Sequence, residues 1–268
     1  MFETRLMHVT KMHGARNDFL VIDGRAHRLT DAASFARWGC DRRAGVGADG
    51  VIVLESSSVA DVRMRIINAD GSEAEMCGNG IRCAARWLDE AGEGDRVAFE
   101  TYAGVVRTQV AAREPEYLIR VAMGTPVIGT LSLSMIPEAS FVEVGNPHVV
   151  IFRSEIERFD LETLAEALQH EPRFRGGTNV HVATRCGERA LEVRHWERGV
   201  GLTAACGTGA VACAAAAIAQ EIVASPVEVF VPGGRLIVEW PGSGNADLIG
   251  PAVRVFETEV IARVDARA

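Results

Sequence analysis

The sequence predicts a mixed α/β chain made of two pseudo-symmetric copies of one strand-rich unit. A Cys-Gly-x-Gly motif occurs twice, at Cys77-Gly78-Asn79-Gly80 and at Cys206-Gly207-Thr208-Gly209, an offset of 129 in a chain of 268 residues. The same offset superimposes Asn17 on Asn146, Asp31 on Asp160, Gly47 on Gly176, Gly50 on Asn179 and Asn68 on Glu197. With one inserted residue the offset becomes 130, and Gly104 falls on Gly234 and Leu118-Ile119 on Leu248-Ile249. A nearly gapless register of turn-type residues marks an internal repeat. Short β-type runs alternate with helix-length segments in the same order in both copies.

In the first copy Asn17 opens the β-type run Phe19-Leu20-Val21-Ile22, and Asp31 is placed to N-cap an amphipathic helix over about 31–39. Gly50 precedes a second run, Val51-Ile52-Val53, and a helix over about 80–91 ends at Gly92 and Gly94. In the second copy Asn146 precedes Val149-Val150-Ile151-Phe152, and Asp160 caps a helix over about 160–169. Asn179 precedes Val180-His181-Val182, and an Ala-rich helix covers about 209–220. Pro226 and Pro232-Gly233-Gly234 punctuate the strands that follow. The expected halves are 1–122 and 123–254, joined near residues 122–135.

Composition excludes several functions. A net charge of -8 argues against nucleic-acid binding, which calls for a basic face. The longest apolar run, Ala210 to Ala219, is too short to span a bilayer, and the N-terminus has no apolar core of a signal peptide. A cytoplasmic protein without membrane partners is expected. Lys11 is the only lysine, hence the only Schiff-base candidate. The six cysteines contain no CxxC and fit no zinc spacing, so no metal site is expected. Cys40, Cys83, Cys186 and Cys213 read as small buried hydrophobes, and Met7, Met12 and Met64 as core. Gly45 to Gly50 matches GxGxxG formally. It follows a polar stretch and opens a β-type run, the wrong context for a dinucleotide site.

Cys77 and Cys206 differ from the other cysteines because each sits at a helix start among small residues. Such a terminus binds a carboxylate through backbone N–H groups and lowers a neighbouring thiol's pKa. Two copies packed face to face would hold one carboxylate from both sides and set a sulfur on each face of the attached carbon. One thiolate would remove the Cα proton and the opposite thiol would deliver another, inverting the centre. Taken singly, each motif reads as an ordinary Gly-rich turn.

The residues resemble the diaminopimelate epimerase family. The matches are Lys11-Met12-His13-Gly14 with Asn17-Asp18-Phe19, Gly45 to Gly50, Asn68 to Glu73, and Cys77 to Cys83. They continue with Gly145-Asn146-Pro147-His148, Glu197-Arg198-Gly199, Ala205 to Gly209 and Pro232-Gly233-Gly234. The resemblance implies two α/β halves, each a strand-rich, barrel-like sheet around a central helix, with the active site at their interface. It also implies that a C-terminal strand, about 255–268, returns to the first half. It assigns Cys77 and Cys206 as the acid/base pair and His148 and Glu197 as tuners of the thiols. Backbone N–H groups at Gly78, Asn79, Gly207 and Thr208 would hold the reacting carboxylate. Asn17 and Asn146 would line the pocket. Asn68, Asn179 and Arg198 would read the distal end of diaminopimelate, and Glu197 would take an ammonium. The family implies no PLP or other cofactor and a homodimer with Phe256 at the contact. Arg16, Gly50 and Leu202 depart from the usual pattern and leave substrate preference open. The alternatives are a PLP-independent racemase of another amino acid, and a redox protein switching a Cys77–Cys206 disulfide. Taken alone, His148 reads as a structural histidine, Glu197-Arg198 as a surface pair, and Asn68 and Asn179 as turn residues.

Overall fold

The computed structural model describes residues 2–25, 29, 31–133 and 136–265. In chain order the elements are β1 (Phe2–Gly14), β2 (Asn17–Asp23), α1 (Ala32–Gly39), β3 (Gly50–Glu55), β4 (Val62–Asn68), β5 (Glu73–Ala74), α2 (Gly78–Glu90), β6 (Arg96–Thr101), β7 (Gly104–Ala112) and β8 (Leu118–Ala122). The second set is β9 (Val127–Leu133), β10 (Ile136–Glu143), β11 (Pro147–Phe152), α3 (Leu161–Gln169), β12 (Asn179–Gly187), β13 (Ala190–Glu197), β14 (Gly201–Thr203), α4 (Gly207–Ala219), β15 (Val227–Val231), β16 (Gly234–Glu239) and β17 (Asp247–Pro251). The chain closes with β18 (Val253–Asp265). Two compact units result, Met1–Val121 with Pro251–Ala268, and Ala122–Gly250. The last three residues of the strand expected over 255–268 lie outside the described residues. The segment expected to join the copies, 122–135, contains β9, which pairs antiparallel with β10.

Each unit repeats the same pairing. In the first, β1 lies between β18 and β2, both antiparallel to it. β2 then runs parallel to β3, which pairs antiparallel with β4. In the second, β10 pairs antiparallel with β11, β11 runs parallel to β12, and β12 pairs antiparallel with β13. The register repeats as well: Phe19 faces Gly50 in the first unit, and His148 faces Asn179 in the second. β3 is buried from Gly50 to Leu54, as expected of a strand covered on both faces. Met7, Met12 and Met64 lie in the core as expected.

Local signals explain the helices. The Asp31 carboxylate accepts from Ser34 N at 2.8 Å and caps α1; Asp160 accepts from Thr163 N at 3.2 Å and caps α3. α2 and α4 start two residues earlier than expected from the second glycine of each motif, because the cysteine itself is the N-cap. α2 touches β1, β2, β3, β4 and β7, and α4 touches β10, β11, β12, β13, β15 and β16, so each sheet curls around its helix. α4 is apolar on every side (Ala210 to Ala217 are all buried), the pattern of a helix enclosed by its sheet. Alanine keeps that helix thin and favours the helical state.

Cys186 corrects an expectation. It is exposed rather than buried, because β12 runs past the core there and its pairing with β13 shifts between Arg185 and Gly187.

Both central helices end in the same hydrogen-bond motif. Gly92 N donates to Asp89 O at 3.0 Å and Glu93 N to Leu88 O at 3.0 Å; Glu221 N donates to Ile218 O at 3.0 Å and Ile222 N to Ala217 O at 2.9 Å. The left-handed residue is Gly92 in one and Glu221, φ 57°, in the other. A side chain at that φ is strained. Glu221→Gly is therefore expected to stabilise the protein by about 0.5–1 kcal/mol, read as a rise in Tm of ~2 °C in thermal unfolding.

Candidate active site

In the first unit Cys77 caps α2. Its Sγ accepts from Gly80 N at 3.5 Å and its thiol donates to Asn17 Oδ1 at 3.5 Å. The amide of Asn79 donates to the same Asn17 oxygen at 3.3 Å, so Asn17, Cys77 and Asn79 meet at one helix start. Sulfur is a weak cap acceptor as a thiol and a far better one as a thiolate, so ionising Cys77 strengthens the cap.

Arg82 holds this turn from below. It is completely buried, with Nη2 donating to Asn79 Oδ1 at 2.8 Å, Nη1 to Gly78 O at 2.8 Å and Nε to Pro251 O at 3.1 Å. Burial pushes its pKa down, and a thiolate at Cys77 would favour its charge. Asn17 is fixed from the other side, where its Nδ2 donates to Asp49 Oδ2 at 2.9 Å. Lys11 is buried and committed to Asp18 at 2.6 Å and to the Gly47 carbonyl. Burial opposes the Asp18 charge, but Arg42 and Lys11 outweigh it and hold that carboxyl well below its usual range. Asn68, at the exposed end of β4, gives its amide to Ser72 Oγ at 3.0 Å. Gly45 to Gly50 leads into β3 rather than a helix.

In the second unit Cys206 caps α4 and accepts from Gly209 N at 3.4 Å, with Thr208 Oγ1 at 3.6 Å. Burial pushes the Cys206 thiol well above its usual pKa, and the adjoining Glu197 carboxylate pushes it further; the Thr208 hydroxyl and Gly209 N–H act against both. Burial likewise raises Glu197, while its bond to the Cys206 thiol opposes that rise. The pair holds a proton tightly.

Asn146, His148, Asn179 and Arg198 lie close together in the same unit and complete this candidate half-site. His148 Nε2 lies 2.7 Å from Asn146 Oδ1. Asn179 donates to Pro147 O at 3.0 Å and accepts from Arg198 N at 3.1 Å. The Arg198 side chain is exposed and anchored by one Nη1 bond to Gly176 O at 3.2 Å. Among the described residues no carboxylate pairs with its guanidinium. Two further histidines, His181 and His195, join His148 in a buried chain that the motif reading missed. The signal was in the repeat: the offset of 129 sets His148, His181 and His195 on Phe19, Ile52 and Ile66, three apolar residues. Among the described residues no group of three potential ligands is placed to hold a metal ion, and no helix is long and apolar enough to cross a membrane.

The family model for diaminopimelate epimerase matches residues 9–129 and 140–255. The chain belongs to the diaminopimelate epimerase family. Members of the family resemble it along nearly their whole length. The diaminopimelate epimerase of Sphingopyxis alaskensis is 42% identical over 265 residues, covering 93% of this chain and 96% of its own. That of Desulforudis audaxviator is 39% identical over 272 residues, covering 94% and 98%. The fold is shared more widely. A Bacillus anthracis phenazine biosynthesis protein of the PhzF family superimposes with TM-score 0.77 at 20% identity, covering 96% of this chain and 100% of its own. A hydroxyproline epimerase from Agrobacterium vitis, with bound trans-4-hydroxy-L-proline, gives TM-score 0.69 at 17% identity, covering 98% and 92%. Membership in the family makes the chain an isomerase.

Proposed function

We propose that the chain interconverts LL- and meso-2,6-diaminopimelate by proton transfer at Cα, with Cys77 and Cys206 as the two acid/base groups and no PLP. The observation that carries this reading is the pair of thiols that N-cap the two central helices, one in each unit. Cys77 lies by the buried guanidinium of Arg82, and Cys206 lies against the carboxyl of Glu197. The second setting favours the thiol form, an acid, at Cys206.

The Cys77 thiolate takes the Cα hydrogen as a proton, and the electron pair stays on carbon and spreads into the substrate carboxylate. Backbone N–H groups at the starts of α2 and α4, at Gly78, Asn79, Gly207 and Thr208, stabilise that charge. The Cys206 thiol returns a proton to the opposite face, leaving Cys77 as thiol and Cys206 as thiolate. The reverse substrate uses the exchanged pair. Glu197 tunes Cys206 directly, and the influence of His148 runs through Asn146, which holds its Nε2. Arg198, which pairs with no carboxylate among the described residues, suits the distal carboxylate, with Asn179 bracing its backbone and Asn68 and Glu197 as further contacts to the distal amino acid. Lys11, tied to Asp18 and Gly47, is poorly placed to serve as a Schiff-base lysine.

We extend the reading to a cytoplasmic homodimer in lysine and peptidoglycan-precursor biosynthesis. Leu6, Phe256 and Ile261, exposed apolar residues on β1 and β18, favour a partner copy there.

The test is isotope exchange in deuterated water without added PLP. Purified protein should place deuterium at Cα of LL- and meso-diaminopimelate and interconvert them. Failure to exchange either isomer would sink the reading. Faster turnover of an amino acid with a single carboxylate would favour the racemase alternative.

A further inference from the structure

Three imidazoles form a buried chain beneath the start of α4. His148 is on β11, His181 on β12 and His195 on β13, and His181 and His195 are directly paired across the two strands. His148 Nδ1 lies 2.8 Å from His181 Nε2, and His181 Nδ1 lies 2.8 Å from His195 Nδ1. His148 Nε2 meets Asn146 Oδ1 at 2.7 Å, and His195 Nε2, at the other end, is buried with no hydrogen-bond partner among the described residues. All three rings are 0 to 1% exposed. Burial pushes His148 and His195 down to about 3 and His181 well below its usual value, so the rings are neutral at neutral pH.

Neutral rings in such a chain must donate in one direction throughout. If the protons point toward Asn146, then His195 Nδ1–H donates to His181, His181 Nε2–H to His148, and His148 Nε2–H to the Asn146 oxygen. The far end is then a bare lone pair on His195 Nε2. If the direction is reversed, the far end is a buried N–H with no acceptor, and the Asn146 amide must turn its nitrogen to His148. An orphaned N–H is the costlier and rarer defect. The first arrangement wins. It also rules out a proton wire, because the unpartnered end has no group to exchange with.

The ring at the middle of the chain cannot rotate freely. A Cβ built on Gly209 would lie 2.6 Å from His181 Cε1, so the helix start rests directly on this imidazole. Gly209 is also the residue whose N–H donates to the capping Cys206 sulfur. In the other unit the corresponding Gly80 rests on Ile52 and Phe19 instead. The two copies share a thiol turn but not its floor. One is apolar, while the other carries a polarised chain leading to the asparagine of the half-site.

We infer that His181 and His195 are positioning residues, which fix His148 in the tautomer protonated at Nε2 and so fix which atom of the Asn146 amide is left to the substrate pocket. This inference rests on the proposed role of Asn146 and His148 at the pocket. The remaining amide group, Nδ2, is then held as a donor facing away from His148, suited to an acceptor oxygen such as a substrate carboxylate.

The test separates the tautomer from the activity. Ring-15N NMR of the substrate-free, full-length protein at neutral pH reads protonated and bare nitrogens separately. His148 and His181 are expected to carry the proton on Nε2, and His195 on Nδ1. In His181→Ile, which installs the residue of the other copy, His148 should lose its single tautomer. kcat for epimerisation should fall by about tenfold or more, with KM nearly unchanged. His181→Gln keeps an amide N–H able to donate to His148 Nδ1; it should restore the Nε2 tautomer and most of kcat. Protonation of wild-type His148 at Nδ1 would overturn the inference, and so would an unchanged tautomer in His181→Ile. Equal losses of kcat in the Ile and Gln variants would also overturn it. The wild-type spectrum needs neither a folded variant nor turnover of diaminopimelate, so it stands even if the proposed reaction fails.

Discussion

Cys77→Ala and Cys206→Ala are each expected to lower epimerisation of diaminopimelate by at least about 10³-fold, the upper range for loss of a general acid or base. The two losses should not multiply in the double variant, because the thiols act as one unit in inversion. Exchange and inversion should also separate. With only one thiol left, a proton can still be lost and regained on one face, so single variants should keep more Cα deuterium exchange than net inversion. Monitoring both by NMR and chiral chromatography in deuterated water distinguishes the cases. Full inversion by either single variant would remove that cysteine from the mechanism. Both cysteines cap their helices, so each variant should also be checked by circular dichroism. The weak S···H–N caps at 3.5 and 3.4 Å contribute little to folding, and the far-UV spectrum should be unchanged.

Glu197→Gln should move the pH–rate profile. Burial and the Glu197 carboxylate both hold the Cys206 thiol above its usual range, and removing the carboxylate's negative charge makes the thiolate easier to form. The sign is therefore downward: the limb of the profile that reports Cys206 should shift about one unit or more to lower pH. The peak rate should fall by about tenfold or more, because the acid's pKa is no longer matched to its partner. Since the thiols and Glu197 share protons, the bell belongs to the group rather than to one residue. A profile unchanged in position would show that Glu197 does not set the proton affinity of Cys206.

Much of the fold is legible in short stretches of sequence. Asp31 and Asp160 announce helix starts because a cap is a contact between residues three apart. Cys77 and Cys206 stand out for a related reason: each lies at the N-cap of a helix that begins with Gly-x-Gly, and the pattern recurs. The second glycine of each motif has a packing cause, because it presses on the floor of the sheet. Cys186 shows the limit of such reading. Its residue type favours burial, but its exposure depends on how far β12 overhangs its neighbour.

The candidate site divides the same way. Asn17 and Asn146 could be picked from the repeat, and the structure joins them to Cys77 and His148 respectively. The repeat shows only that His148, His181 and His195 replace the apolar Phe19, Ile52 and Ile66; that the three rings touch could not be read from sequence, since their strands place them 33 and 14 positions apart. Arg82 likewise sits in a helix that also carries Arg86, Asp89 and Glu90, and only burial reveals that it braces Gly78 and Asn79.

The sequence by itself therefore determined the repeat, the helix starts, the two thiols at those starts and the family. These depend on residue order within a few positions or on a constant spacing. Tertiary structure alone decided what lies under each thiol: an apolar floor with a buried Arg82 below Cys77, and three linked imidazoles with Glu197 beside Cys206. The reason is physical. Strand register brings distant side chains to one face, and burial then sets which of them carry charge.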